Sequence, residues 1–444
     1  MTEAGTRESS PADPSAEAPA EREVVKLLAP RDGVPAVIVT PHQLRDACAL
    51  IASGTGPLAV DAERASGYRY GQRAYLVQLR REGAGTHLVD PIAVPDLAPL
   101  AEAVSGLEWV LHAASQDLPC LRELGLEPAS LFDTELAGRL LGYPRVGLAA
   151  LLEEVLGWSL AKEHSAADWS TRPLPEPWLR YAALDVELLV ELRDALEAEL
   201  EEAGKLDWAH QEFDAVRDAA PAAPRTDPWR RTSGVHKLRR PRQLAVVRAL
   251  WTTRDAIARR RDVSPGRILP DSSIVAAALA ATQSGFHTLD DVPGFTGRGA
   301  KRHMGEWQGA VEQALRLAES ELPPQSLPGD GPPPPRAWAE KDPDAAARLA
   351  VARRGLALLA EEAGMPVENL ASPDLVRRVL WSPPASPDGV AAALAAGGAR
   401  PWQVGLVGPV IADALSATAE DERVRAEALA ALAAEADDLP ADDV

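Results

Sequence analysis

A mixed α/β domain, with helices packed on a sheet, followed by two small all-α domains, is the fold class that this 444-residue sequence predicts. Three observations carry that reading. Short apolar runs follow one another from Ala36 to Pro91, then alternate with helical segments. Strand signals end at Ala219-Ala220-Pro221-Ala222-Ala223-Pro224, beyond which the apolar spacing is helical. A second break at Leu322 to Pro335, containing Pro332-Pro333-Pro334-Pro335, splits the helical half in two and reads as extended polyproline. The length alone agrees with several domains.

Residues 1–23 are rich in Ala, Pro, Ser, Thr and Glu without periodicity, so disorder is expected there. Residues 24–215 form the first domain. Its strands read as Ala36–Val39, Leu58–Val60, Tyr75–Leu79, His87–Val89 and Trp109–Leu111. In Gly56-Pro57-Leu58-Ala59-Val60-Asp61-Ala62-Glu63, side-chain alternation places Asp61 and Glu63 on one side of the strand. Two such carboxylates repel unless a cation lies between them or one takes up a proton. Hard oxygen ligands of this kind suit magnesium or manganese.

After Trp109–Leu111 the chain enters Ser115-Gln116-Asp117-Leu118, where Ser115 reads as an N-cap and the helix dipole favours an acid at Asp117. His112 reads equally as a buried imidazole satisfied by the backbone or as a neighbour of a site. A long helix is expected from near Pro175 to about Glu202, with Leu184, Leu188 and Leu189 on its buried stripe. Tyr181 and Asp185, four apart, share a face of that helix. Each motif alone has a plain explanation as a solvated turn, a dipole effect or a surface pair. Convergence of all three segments would create a site for two divalent cations.

A linker at 216–228 precedes a helical domain at 229–321. There Leu244, Val247, Leu250 and Trp251 share one helix face, and Asp262–Asp271 turns the chain into Ile274–Leu279. A proline-rich linker at 322–336 leads to a second helical domain at 337–418, where Val367–Val376 follows the same order as Ser264–Ile274. This part has lost most of the basic residues, so packing against the first domain is its expected role. An acidic tail, helical or disordered, occupies 419–444.

The net charge of −20 looks wrong for a nucleic-acid partner until its distribution is read. Residues 225–320 hold 17 Lys and Arg against 9 Asp and Glu. Arg239, Arg240, Arg242, Arg248, Arg259, Arg260, Arg261 and Arg267 would suit a phosphate-binding surface, extended by Lys301 and Arg302. The charged outer face that any small helical domain needs is the plain alternative. Cys48 and Cys120 fall at helical core positions, implying no disulfide framework, no zinc site and a reducing compartment. The absence of a signal-peptide pattern and of an apolar run of membrane-spanning length points to the cytoplasm. No Gly-x-x-x-x-Gly-Lys-Ser/Thr loop is present, which excludes a helicase motor.

Asp61-x-Glu63, His112-Ala113-x-x-x-Asp117 and Tyr181-x-x-x-Asp185 occur in the order of the DEDD superfamily of 3′-5′ exonucleases, in the branch with Tyr in its third motif. Phe132-Asp133-Thr134-Glu135-Leu136-Ala137 and Ser165-Ala166-Ala167-Asp168-Trp169-Ser170-Thr171-Arg172-Pro173-Leu174 make residues 35–205 resemble ribonuclease D. Leu250-Trp251-x-x-Arg254-Asp255-x-Ile257-Ala258 with Pro265-x-Arg267-Ile268-Leu269-Pro270-Asp271 resembles the HRDC domain, a nucleic-acid-binding module, and the order that Val367–Val376 shares with Ser264–Ile274 makes 337–418 read as a diverged second HRDC-like domain.

The resemblance implies a ribonuclease H-like sheet domain and a metal-dependent exoribonuclease that releases nucleoside 5′-monophosphates from structured RNA such as tRNA precursors. It also implies that Asp61, Glu63, Asp117 and Asp185 hold two Mg2+ or Mn2+ ions, that Tyr181 orients the attacking water, and that Glu63 meets the terminal 3′ hydroxyl. His112 and the arginines, Arg239, Arg240, Arg242, Arg259, Arg260 and Arg267 among them, would face nucleic acid. Trp169, Arg172 and Gln78 lie where the family meets substrate, although core packing explains them equally well. Two competing readings are a 3′-5′ exodeoxyribonuclease and a non-catalytic RNA-binding platform on the same fold.

Overall fold

The computed structural model describes residues 24–160, 167–221, 223–327, 329, 331–386 and 388–427. The expected disordered N-terminus, Ser165, Ala166 and most of the acidic tail lie outside the described residues.

The first domain contains strands β1 (Val25–Leu27), β2 (Val37–Ile38), β3 (Thr55–Arg64), β4 (Ala74–Glu82), β5 (Gly85–Val89), β6 (Glu108–Leu111), β7 (Ser130–Asp133) and β8 (Trp158–Leu160). Its helices are α1 (Pro41–Ser53), α2 (Ala98–Ala103), α3 (Leu118–Glu123), α4 (Thr134–Leu140), α5 (Leu148–Leu151), α6 (Glu176–Glu187), α7 (Leu189–Glu202) and α8 (Leu206–Arg217). Six strands form one mixed sheet in the order β2-β5-β4-β3-β6-β7, while β1 and β8 pair separately. β4 runs antiparallel to β3 and β5; the other pairs in the sheet are parallel.

Leu58, Ala59 and Val60 are all buried because helices cover both sheet faces, which is why their run is continuously apolar. The start of α1 has a local cause: Pro41 sits in its first turn and Thr40 and Gln43 complete a reciprocal capping box.

One expectation is corrected. The helix from Pro175 to Glu202 is two helices, broken at Leu188, where φ is −116° and ψ is 8°. No glycine or proline marks the break. Tertiary contacts cluster at this point: the fully buried Glu187 carboxylate lies 3.4 Å from Arg80 and accepts the Arg31 backbone N–H at 3.3 Å. Val186, Leu188, Leu189 and Leu192 are all buried, a set wider than one straight helical stripe.

The second part packs α9 (Pro241–Arg261), α10 (Pro265–Ile268), α11 (Asp271–Ala281), α12 (Arg298–Lys301) and α13 (Met304–Arg316) around its own core, which includes Leu244, Leu250, Ile257, Leu269 and Trp307. Arg254 is 5% exposed and structural, donating to the Leu269 carbonyl at 2.9 Å and pairing with Asp271 at 2.6 Å.

The third part comprises α14 (Trp338–Lys341), α15 (Pro343–Glu362), α16 (Val367–Leu370), α17 (Pro373–Trp381), α18 (Gly389–Ala396) and α19 (Pro401–Ala414). Its apolar side chains join those of the sheet domain in one continuous core. Trp402 stacks on Trp208 with centroids 4.9 Å apart and donates its indole N–H to Glu212 at 3.0 Å.

Candidate active site

The end of β3 carries Asp61 and Glu63, and antiparallel register sets Gln78 opposite Asp61 and Leu76 opposite Glu63. α6 crosses β3, β4 and β5 and brings Asp185 and Tyr181 to the same place. Carboxylate oxygens of Asp61, Glu63 and Asp185 all lie within 4.8 Å of one another. Asp117 borders the same cavity, of about 710 Å3, together with His112, Glu135 and Arg64. The structure therefore brings together all five residues singled out from the three motifs, and His112 with them.

Asp117 reaches the cavity by an irregular turn. β6 ends at Leu111, Ala113 adopts φ 59°, and Ala114–Gln116 forms one 3-10 turn. Ser115 lies inside that turn, so its expected role as N-cap is corrected. Asp117 itself precedes α3, yet its side chain makes no capping bond. The carboxylate instead meets the Arg64 guanidinium at 3.2 Å, as a charge-assisted pair.

Asp133 is the functional neighbour that sequence reasoning missed. Its carboxylate accepts backbone N–H bonds from Ala113 and Ala114 at 3.0 and 2.8 Å, and from Glu135 and Leu136 at 2.9 and 3.3 Å. One side chain thus pins the left-handed turn before Asp117 and caps α4. The Asp-Thr-Glu-Leu sequence at 133–136 carries the capping signal, but nothing local announces the bonds to residues 113 and 114. Burial pushes the Asp133 carboxyl up to about 6.

The electrostatics of the cluster favour a cation. Burial raises Asp61, and burial together with the charges of Asp61, Asp185 and Asp117 raises Glu63 far above the ordinary carboxylate range. Burial, then Asp61, raises Asp185 strongly despite its hydrogen bond with Tyr181. Asp117 is pushed up to about 8 by burial and Asp61, with Arg64 opposing. Carboxylates this close share protons or a metal ion. Three converging hard oxygen ligands, with neither sulfur nor imidazole in the set, fit a divalent cation such as Mg2+ or Mn2+.

The Tyr181 phenol is held protonated by burial and by the carboxylates of Asp185, Glu63 and Asp61. His112 is a neutral imidazole, lowered to about 4 by burial, with Nδ1 3.0 Å from the Thr134 hydroxyl. Gln78 is fully buried, and neither of its amide atoms has a hydrogen-bond partner among the described residues. Trp169 is buried beside Trp178 and Tyr181. Arg172 is tied to Asp90 at 2.6 Å and to the Tyr75 carbonyl at 2.8 Å.

The arginines divide into two groups. Arg239 and Arg240 lie just before α9, with no ion pair among the described residues. Arg242 binds the carbonyls of Leu315 and Leu317 and the Glu319 carboxylate. Arg260 pairs with Glu306 at 3.3 Å. Arg259 meets the Tyr70 hydroxyl at 3.0 Å, and Arg267 donates to the Gly67 carbonyl at 2.8 Å. Those last two contacts join the helical part to the loop after β3, where Gly67 and Tyr68 line a second cavity of about 340 Å3 with Glu63 and Arg64.

Comparison with known proteins places this geometry in a family. Residues 35–201 match a 3'-5' exonuclease model, residues 243–311 an HRDC domain model, and residues 331–415 a model described as a 3' to 5' exonuclease C-terminal domain. Ribonuclease D of Acidiphilium cryptum is 35% identical over 240 residues, which span 51% of this chain and 59% of that protein. Ribonuclease D of Pseudomonas paraeruginosa is 33% identical over 282 residues, 62% of this chain and 73% of that protein. A crystal structure of a protein from Bifidobacterium adolescentis is 40% identical, with a TM-score of 0.81 over 88% of this chain and 100% of that one. Escherichia coli RNase D, whose crystal structure is that of an exoribonuclease involved in structured RNA processing, is 27% identical, with a TM-score of 0.61 over 86% and 98% of the two chains. Three family models in order and this identity over most of a relative's length establish that the chain belongs to the ribonuclease D family of 3′-5′ exoribonucleases.

Proposed function

We propose that Asp61, Glu63, Asp117 and Asp185 hold two divalent cations, Mg2+ or Mn2+, at which the 3′-terminal phosphodiester of a structured RNA is hydrolysed to release a nucleoside 5′-monophosphate. The observation that carries this reading is the convergence of the Asp61, Glu63 and Asp185 carboxylates within 4.8 Å, at a cavity that Asp117 also borders. Bound there, divalent ions supply Lewis-acid activation of water and stabilisation of the leaving oxygen.

The chain's own residues do the rest. Tyr181, kept as a phenol, positions the attacking water as a hydrogen-bonding group rather than as a base. Glu63 borders both cavities, which supports the reading that it meets the terminal 3′ hydroxyl. Neutral His112 contributes shape and hydrogen bonding at the cavity rim. Arg239 and Arg240 carry the proposed phosphate grip, while Arg242, Arg259, Arg260 and Arg267 act chiefly through the intramolecular partners described above. We assign domains at 24–215, 229–321 and 337–418, joined by linkers at 216–228 and 322–336. Precursors of tRNA are a fitting substrate class, and the cytoplasm a fitting location. Among the described residues no helix is long and apolar enough to cross a membrane.

The test uses 5′-labelled RNA with a short 3′ extension on a stem, with and without Mg2+ or Mn2+, beside Asp185→Asn and a matched DNA. Metal-dependent shortening from the 3′ end, lost in the variant and slower on DNA, is expected. Faster shortening of DNA would favour an exodeoxyribonuclease, and tight binding without shortening a non-catalytic platform.

A further inference from the structure

We infer that Arg64 is a positioning residue that competes with a divalent cation for Asp117, and thereby sets how tightly the fourth carboxylate of the cluster takes up metal. The inference rests on the metal-binding role proposed for the carboxylates, and extends it to a residue outside the three motifs.

Strand alternation would turn residue 64 away from the face that carries Asp61 and Glu63. The β3–β4 register, however, shifts between Glu63 and Arg64, and after the shift Arg64 pairs with Ala74. Such irregularities re-aim side chains. Here Glu63 and Arg64 both line the two adjoining cavities. Arg64 is the one arginine, and no lysine accompanies it, among the described residues that line the carboxylate cavity.

Its guanidinium is held at two points. One nitrogen lies 3.2 Å from an Asp117 carboxylate oxygen, and another donates to the Gln116 carbonyl at 2.5 Å. The Asp117 side chain is only 8% exposed and that of Arg64 26%, so water screens the pair weakly. The cluster is thereby divided. Asp61, Glu63 and Asp185 already converge within 4.8 Å, whereas Asp117 is engaged by an internal cation. A divalent ion at Asp117 would face a guanidinium across the same carboxylate. Either the arginine swings out or the ion binds against like-charge repulsion. Both routes lower affinity at Asp117 and leave the three-carboxylate group as the first to fill.

Titration calorimetry with Mn2+ on the full chain, paired with electron paramagnetic resonance to count bound ions, tests this without turnover. Two classes of site are expected, one strong and one weaker. Arg64→Gln should tighten the weaker class by about fivefold or more, the scale of a part-buried ion pair. Asp117→Asn should abolish that class. In the Asp117→Asn background Arg64→Gln should then have no effect, because the arginine acts through Asp117. Unchanged or weaker Mn2+ binding in Arg64→Gln overturns the inference. So does equal tightening with and without Asp117, which would show a general field effect. Should circular dichroism show Arg64→Gln misfolded, Arg64→Lys replaces it; losing the two-point hold should still tighten the weaker class, and failure to do so is equally decisive. Asp185→Asn separates the two levels. If wild type binds Mn2+ and Asp185→Asn removes the strong class while Arg64 has no influence, only this inference fails. If neither wild type nor variant binds Mn2+, the metal role itself fails.

Discussion

The guanidinium of Arg267 lies 4.1 Å over the ring of Tyr68, while its Nε holds the neighbouring Gly67 carbonyl at 2.8 Å. The Ser264 backbone N–H donates to the Tyr68 carbonyl at 2.9 Å, and Asp255 accepts the Tyr70 hydroxyl at 2.9 Å. The HRDC part therefore clamps the loop that continues from Glu63 and walls the second cavity. Arg259 and Arg267, which the sequence offers as phosphate ligands, make interdomain contacts at these positions.

Two kinds of arginine should separate experimentally. Arg267→Ala frees the loop beside Glu63, so KM for RNA should rise several-fold while the salt dependence of binding changes little. Arg239→Ala and Arg240→Ala should instead lower the slope of log affinity against log salt by about 0.7 for each lost phosphate contact on a single strand. Filter binding across a salt series checks both; a lower slope for Arg267→Ala would return that residue to the RNA surface.

Asp185→Asn and Asp61→Asn should reduce turnover by about a thousandfold or more, the scale of several kcal/mol of lost metal-assisted stabilisation. Folding should survive, because each change removes a carboxylate whose burial opposes its ionised form, and at Asp185 one that the Asp61 charge also opposes. Circular dichroism and single-turnover kinetics report the two effects independently. A variant that retains full rate would exclude its carboxylate from the reaction.

Tyr181→Phe keeps the ring against Trp169, whose centroid lies 6.4 Å away, and removes only the hydroxyl. A rate loss of about ten- to a hundredfold with unchanged Mn2+ affinity is expected for a group that orients water. Weakened metal binding would instead give Tyr181 a structural role through Asp185.

Metal-free stability should fall as pH rises across the cluster's range. Asp117 titrates near 8 when folded and near 4 when unfolded. Between those values the folded chain holds a proton that the unfolded chain has released, so unfolding becomes more favourable with rising pH. Mn2+ needs deprotonated ligands and binds the folded form, so its stabilisation should be larger at pH 8 than at pH 5.5. Melting curves in chelator and in Mn2+ at both pH values, compared with Asp117→Asn, isolate the contribution. A wild-type minus variant difference in melting temperature that rises with pH in chelator would contradict the assignment.

Legibility followed the range of the interaction. Asp61 with Glu63 and Tyr181 with Asp185 were readable because strand and helix periods are local properties of the chain. Asp117 was readable only through motif order, since its position depends on Ala113 in a left-handed turn that Asp133 fixes from 20 residues away. The break at Leu188 escaped because no glycine or proline marks it, and the partners of the adjoining Glu187, Arg80 and Arg31, lie over 100 residues earlier. Arg64 escaped because a register shift, invisible to alternation, turns it into the site. Sharing of one core between the sheet domain and the third part was equally hidden, since amphipathic helices do not name their partner.

That shared core makes a last prediction. Trp402 is 6% exposed, stacks on Trp208 and caps the buried Glu212 carboxylate, which Arg400 also holds at 2.9 Å. Removing the indole leaves both a cavity and a partly orphaned acid, so Trp402→Ala should cost about 3–5 kcal/mol. Because Asn369 donates to the Arg139 carbonyl on α4 at 2.9 Å, the loss should reach the helix that begins after Asp133. Hydrogen exchange is expected to speed up in α4 and α8 as well as in α19, within a single cooperative transition. If exchange rises in α19 alone, the third part is an independent appendage and the catalytic cavity does not lean on it.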